Sequence, residues 1–169
     1  MLRMELHHRQ LFLLRHLMKN SFITLLVTFG YIGKVKYFPG TIGSLAGILV
    51  GAFIIKLTNY NVFMSCFFIL TVISIFAVDE YLKSSDNLDP QEVVVDEVLG
   101  QWIAIAFIPF NFKSFLIAFI LFRFFDISKI FPINKIEKIK GYLGVIGDDL
   151  FAGIITAIII LTLTYYGLI

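Results

Sequence analysis

Two pairs of adjacent carboxylates interrupt long apolar stretches of this chain: Asp96 with Glu97, inside VVVDEVLGQW, and Asp148 with Asp149, directly before the last apolar run. An ionisable group set into such a run is costly unless it is paired, hydrated or bound to a cation, which makes it a functional candidate. Neighbouring residues on a helix diverge by about 100°, so Asp96 and Glu97 divide between a site and its rim. The plainer reading is a favourable interaction with a helix N-terminus, worth about 0.3–1 kcal/mol. For Asp148 and Asp149 it is an N-cap role, which needs only one of the two. Gly141, Gly144 and Gly147 precede them and allow sharp backbone turns near a ligand. Two carboxylate pairs brought together suit a hard, oxygen-seeking cation such as Mg²⁺. Asp96, Glu97, Asp148 and Asp149 are therefore the candidate metal ligands.

Cations of the right kind accompany them. Arg123, Asp126 and Lys129 recur at three-residue spacing and share a helix face. They form either a ladder of intrahelical ion pairs, about 0.2–0.5 kcal/mol each, or a phosphate clamp. In the clamp Arg makes bidentate contact, Lys acts as a point charge, and Asp126 orients them or joins the metal. The turn Pro39-Gly40-Thr41-Ile42-Gly43-Ser44 leads into an apolar run. Thr41 or Ser44 could cap that helix, whose free N–H groups favour phosphate, with Lys36 close by. Asp89-Pro90 is a turn signal; Asp86, Asp89 and Glu92 are solvated loop charges or, for Asp89, an addition to the acidic cluster.

Absences narrow the chemistry. There is no Cys nucleophile followed by an arginine-bearing phosphate loop, no GxxxxGK[ST] nucleotide loop, and no histidine in these segments. The single cysteine, Cys66, lies in an apolar run and reads as packing. A net charge of +2 gives no electrostatic case for nucleic acid. What remains is metal-assisted hydrolysis of a phosphate ester, with bound metal acidifying water and a free carboxylate acting as base.

The elements that must position these groups are apolar helices. With 59% hydrophobic and 15% charged residues over 169 positions and a mean hydropathy of +0.89, the excess apolar surface exceeds that of a soluble domain and faces lipid. Residues 60–78 and 150–169 each approach the length of about 20 apolar residues that crosses a bilayer. Residues 42–58 are shorter and carry Gly43, Gly47 and Gly51, which suit close helix approach. Residues 93–110 and 114–128 read as a helical hairpin joined at Asn111, Phe112 and Lys113. Strands would leave backbone groups unpaired in lipid, so the expected fold is an all-α polytopic bundle of about five membrane-embedded helices, one domain over 28–169.

Residues 1–27 form a basic N-terminal segment. Within it, residues 1–20 are an interfacial amphipathic helix or a flexible basic tail, with His7, His8 and His16 belonging to it; residues 20–31 are too short to cross. No cleavable signal is evident there. Residues 132–140 read as a second interfacial turn, with Ile133, Ile136 and Ile139 towards lipid. The excess of Lys and Arg in the N-terminal arm and in 123–140, against only Lys56 and Lys113 near the other turns, places both basic segments in the cytoplasm. Segments 30–44, 86–97 and 123–149 then share one membrane face.

At these motifs the chain resembles the bacterial phosphatidylglycerophosphatase A family. The resemblance rests on DPQEVVVDEVLGQWIA (89–104), FRFFDISKIFPINKIE (122–137), GYLGVIGDDLFAG (141–153) and PGTIGS (39–44), and covers roughly residues 28–157. It implies Mg²⁺-dependent hydrolysis of phosphatidylglycerophosphate to phosphatidylglycerol and phosphate at the cytoplasmic face of the inner membrane. It also implies a lipid substrate in the bilayer, with no nucleotide or nucleic acid. The family's acidic positions fall on Asp89, Asp96, Glu97, Asp126, Asp148 and Asp149, and its basic ones on Arg123 and Lys129. Departures are Ile130 for Pro, Tyr142 for Gly, Gly147 for a larger residue, and Tyr37 for a Lys, with Lys36 beside it. Two rival readings are a transporter or channel component that uses carboxylates as an ion relay, and a non-enzymatic assembly subunit.

Overall fold

A computed structural model describes residues 21–169, apart from 86 and 88. The expected amphipathic helix over 1–20, its three histidines and Asp86 lie outside the described residues. Residues 21–27 are helical, and the Val94 N–H donates to the Val27 carbonyl at 2.9 Å, tying this segment to the entry of the central helix. A short 3₁₀ turn, Ile32–Lys34, follows. The bundle proper comprises α1 (Pro39–Leu57), α2 (Tyr60–Lys83), α3 (Val95–Ile105), α4 (Phe112–Ser128), the single turn α5 (Ile133–Ile136) and α6 (Tyr142–Tyr165). No strand occurs among the described residues.

Local sequence explains most boundaries. Pro39 opens α1, where its missing N–H costs nothing. Asn59 and Asn111 cap α2 and α4, their side-chain oxygens accepting from Val62 N–H at 3.0 Å and Ser114 N–H at 2.9 Å. Lys129 ends α4 in a left-handed conformation with φ 44°. Three features differ from the sequence expectation. Thr41 and Ser44 do not cap α1: Phe38 stands at that position with no side-chain cap, and the Ser44 hydroxyl donates to the Gly40 carbonyl at 2.8 Å. The last helix begins at Tyr142 rather than 150, with Gly141 at its cap. Asp148 and Asp149 are therefore in its second turn, about 9 Å along its axis, and cap nothing. The third difference is α5: Ile133 is fully buried in a cluster with Ala104, Phe122 and Ala152 rather than facing lipid. Ile139 is exposed as expected.

α1, α2 and α6 are long and apolar enough to cross a membrane, and much of their apolar surface is outward-facing: Leu49, Phe53, Phe68, Ile69, Phe76 and Ile158 are all exposed. The chain is a helical membrane protein. α3, at 11 residues, reaches only about 16 Å and cannot cross alone. It is instead the buried axis of the bundle, with Val98, Leu99, Gln101, Ala104 and Ile105 wholly inaccessible. α1 and α6 hold it from two sides.

The expected close approach at Gly43, Gly47 and Gly51 is realised against α3. A Cβ at Gly43 would lie 2.8 Å from the Val94 Cβ, and one at Gly51 3.1 Å from the Trp102 indole nitrogen. That nitrogen donates to the Gly47 carbonyl at 2.8 Å, so the contact is polar as well as close. On the other side, a Cβ at Gly100 would lie 2.9 Å from the Asp149 carbonyl carbon, so α3 and α6 touch backbone to backbone. Cys66 is a free thiol packed at the edge of the core.

Candidate active site

The close α3–α6 contact sets the position of the acidic groups. Asp96 and Glu97 stand in the first turn of α3, and Asp149 stands in α6 close to Gly100. One carboxylate oxygen from each of Asp96, Glu97 and Asp149 lies within 4.8 Å of the others. The expected division of Asp96 and Glu97 between site and rim does not occur, because both reach the same pocket. Each aspartate that begins a pair is fixed by the amide that follows it. Asp96 Oδ1 accepts from Glu97 N–H at 3.0 Å, and Asp148 Oδ1 from Asp149 N–H at 2.9 Å. Asp148, offered by its sequence as a ligand, stands outside the three-carboxylate group and engages the Lys129 ammonium at 2.5 Å.

The cations come from the end of α4. Arg123 pairs with Asp126 one turn on, approaches Glu97 at 3.9 Å and donates to the Ser44 hydroxyl at 3.3 Å. Lys129 reaches Asp126 at 3.1 Å and Asp149 at 3.9 Å besides Asp148. The intrahelical ladder therefore exists, and both of its cations also cross to other helices. Burial works against the Lys129 charge, but Asp149, Asp148 and Asp126 outweigh it and hold the ammonium above the ordinary lysine range. Gly40 packs directly against the Glu97 carboxylate, and a side chain there would push the end of Glu97 aside.

These groups line a pocket of about 600 Å³ open at one end of the bundle, together with Thr41, Asp89 and Glu137. Three distant segments thus meet as the sequence requires. Lys36 does not join them; it is exposed beside Tyr37, in an adjoining depression. Sequence reasoning missed two participants. Ser44 reads in the sequence only as a cap, and its contact with Arg123 had a signal in its place four residues after Gly40. Glu137 had no signal beyond lying in the motif block.

The pocket's charge balance fits a cation. Seven carboxylates and two cationic side chains line it. Glu97 Oε2 and Asp149 Oδ1 are buried without a hydrogen-bond donor, and so is Arg123 Nε without an acceptor. Buried polar groups in native proteins are nearly always satisfied; the bundle holds other unpartnered atoms, at Gln101, Ser114, Thr156 and Thr164, but those in the pocket belong to ionisable groups, whose burial is the costlier. All-oxygen donors suit a hard divalent ion, and the orphaned guanidinium nitrogen suits an anion.

Fold and site together define a membrane-embedded helical protein with a carboxylate-lined pocket, flanked by Arg123 and Lys129, at one end of its bundle. The family model for phosphatidylglycerophosphatase A matches residues 25–164, and the chain belongs to that family. It is 33% identical over 151 residues to a phosphatidylglycerophosphatase A of Haemophilus influenzae, covering 88% of this chain and 92% of that one. It is 30% identical over 142 residues to the Escherichia coli protein of the same description, covering 83% and 81%. A Bacteroides thetaiotaomicron protein described as "Putative phosphatidylinositol-3-phosphatase" is 34% identical over 149 residues, covering 84% and 94%. No solved structure matches significantly.

Proposed function

We infer that this chain hydrolyses the terminal phosphate monoester of phosphatidylglycerophosphate, giving phosphatidylglycerol and phosphate, with Mg²⁺ held by Asp96, Glu97 and Asp149. Family membership supports the reaction. The observation that supports the metal is the pocket's excess of carboxylates over cations, which repels a phosphate dianion unless a further positive charge is present. A bound Mg²⁺ supplies neutralisation of the phosphoryl oxygens and a more acidic water.

The chain's own residues do the rest. Arg123, braced by Asp126 and Ser44, offers its guanidinium to a phosphoryl oxygen. Lys129 stays charged among its carboxylates and provides a second positive contact. Asp148, set apart from the three-carboxylate group, keeps Lys129 in place, as does Asp126. A pocket carboxylate accepts the proton of the attacking water as the P–O bond to the glycerol breaks, and that proton is returned to the departing oxygen, which leaves as a hydroxyl of phosphatidylglycerol. Thr41 and the N–H groups at the start of α1 border the same volume.

The side of the membrane follows from charge: Arg123, Lys129, Lys135, Lys138 and Lys140 lie in the segment that forms the pocket end. By the bias of cytoplasmic segments towards Lys and Arg, the pocket opens to the cytoplasm of a bacterial inner membrane. The rival relay finds no support in the family or relatives. The test is phosphate release from phosphatidylglycerophosphate in detergent micelles, with Mg²⁺ and with EDTA, and with phosphatidylinositol 3-phosphate as the competing head group. Release that needs Mg²⁺ and prefers the glycerol head group supports the reading; none from folded protein refutes it.

A further inference from the structure

Lys34 and Lys36 line a second polar depression of about 640 Å³. It shares Pro39, Pro90 and Gln91 with the carboxylate pocket, so the two adjoin. Among the described residues neither lysine has an ion-pair partner. Each ammonium lies 5.4 Å from the centre of a tyrosine ring, Tyr31 for Lys34 and Tyr37 for Lys36. Among the described residues the only carboxylate of this depression is Glu92, which accepts a hydrogen bond from the Tyr81 hydroxyl. Among the described residues its charge balance is therefore opposite to that of its neighbour. The same loop exposes Tyr31, Tyr37 and Phe38, a mixture of aromatic and basic residues that settles at the membrane–water interface.

Resting on the function inferred above, we propose that Lys34 and Lys36 bind the inner phosphodiester of the lipid substrate while its terminal phosphate occupies the Arg123–Lys129 pocket. A lipid that carries a phosphorylated polyol has two anionic groups. The monoester is the reacting one. The diester is bonded directly to the diacylglycerol, so it stays at interfacial depth, where the aromatic loop lies. A pocket already rich in carboxylates repels a second anion, and the adjoining cationic depression accepts it. The pair of sites thereby selects lipids whose two phosphates are separated by a polyol spacer over those with a monoester alone. It gives Lys36 a role that its distance from the carboxylate pocket otherwise denies it.

Product inhibition in neutral-detergent micelles tests this, because phosphatidylglycerol carries the diester without the monoester and inorganic phosphate lacks the diester. For Lys34→Ala/Lys36→Ala, KM for phosphatidylglycerophosphate and the inhibition constant of phosphatidylglycerol each rise about tenfold, the scale of losing one or two charge-assisted contacts. kcat and inhibition by inorganic phosphate stay within about twofold, and Lys135→Ala, an exposed lysine outside both depressions, changes nothing. Unaltered phosphatidylglycerol inhibition overturns the proposal, as does an equal weakening of inhibition by inorganic phosphate. If the unsubstituted protein releases no phosphate, the functional reading fails and takes this proposal with it. If it does and the double variant behaves identically, only this proposal fails.

Discussion

The bundle has a cavity near each end, and the two differ in everything but size. At the N-terminal ends of α3 and α6, about 600 Å³ is lined by carboxylates, Arg123 and Lys129. At their C-terminal ends, about 760 Å³ is lined by Tyr60, Met64, Phe107, Phe110, Leu161 and Tyr165 among others, without one carboxylate, lysine, arginine or histidine. The larger hollow is the emptier of chemistry. Its polar contact is structural: the Tyr60 hydroxyl donates to the Ile108 carbonyl at 3.0 Å, closing the turn between α3 and α4. The smaller one carries unpartnered ionisable atoms and a charge imbalance, where the larger one holds only the unpartnered Thr164 hydroxyl. A cavity in a membrane bundle is easily filled by lipid or side chains; one lined by charges favours water or a charged ligand instead.

Substitutions at the two ends should separate sharply. The largest effect is expected at Asp149→Asn, which removes a carboxylate from the three-oxygen group with almost no change in shape. Phosphate release should fall by at least about 10³-fold while the detergent-solubilised protein keeps its elution volume and melting midpoint. Retained turnover would remove Asp149 from the mechanism. Next is Lys129→Ala, which strips the shared counter-charge from Asp126, Asp148 and Asp149. Activity should drop about 10²-fold, close to 2.7 kcal/mol of barrier. Lys129→Arg should recover part of it if charge is what matters, and none if a compact ammonium is required.

Gly153→Val joins the two ends, because a Cβ at Gly153 already collides with the Gly100 carbonyl. Forcing α3 and α6 apart should cost about 1–3 kcal/mol of stability and reduce activity more than it reduces the folded fraction. Equal losses would mean that the spacing serves folding alone. The smallest effect is expected at the apolar end. Tyr60→Phe should lower stability by about 1 kcal/mol or less and leave kcat and KM within about twofold. A tenfold loss of activity there would break the contrast between the ends.

The carboxylate pairs, the clamp spacing and the apolar helices could all be read from residue order, because composition and period bear directly on what a segment can bury. Asp96 with Glu97, Asp126, Asp148 with Asp149, Arg123, Lys129 and Thr41 all reach one pocket as expected. What could not be read was how each one is used. Asp148 and Asp149 look interchangeable in sequence; one engages Lys129 and the other faces Asp96 and Glu97. Ile133 looks like an interfacial residue and is core, since a single helical turn has too little periodicity to reveal its inward side. Lys36 looks like part of the phosphate turn and lies on the next surface over.

By itself, the sequence determined that this is a helical membrane protein of the phosphatidylglycerophosphatase A family, and it marked out the acidic and cationic residues that line one pocket. Hydrophobic length and charge placement are local properties, and membrane solvation leaves few alternatives to helices. Only the tertiary structure decided which carboxylates share an ion-sized space, which one holds the lysine, and that an 11-residue helix too short to cross is the axis of the bundle. Those outcomes depend on backbone approach at Gly43, Gly47, Gly100 and Gly153. Contacts between helices far apart in sequence fix such distances, and no local pattern of residues encodes them.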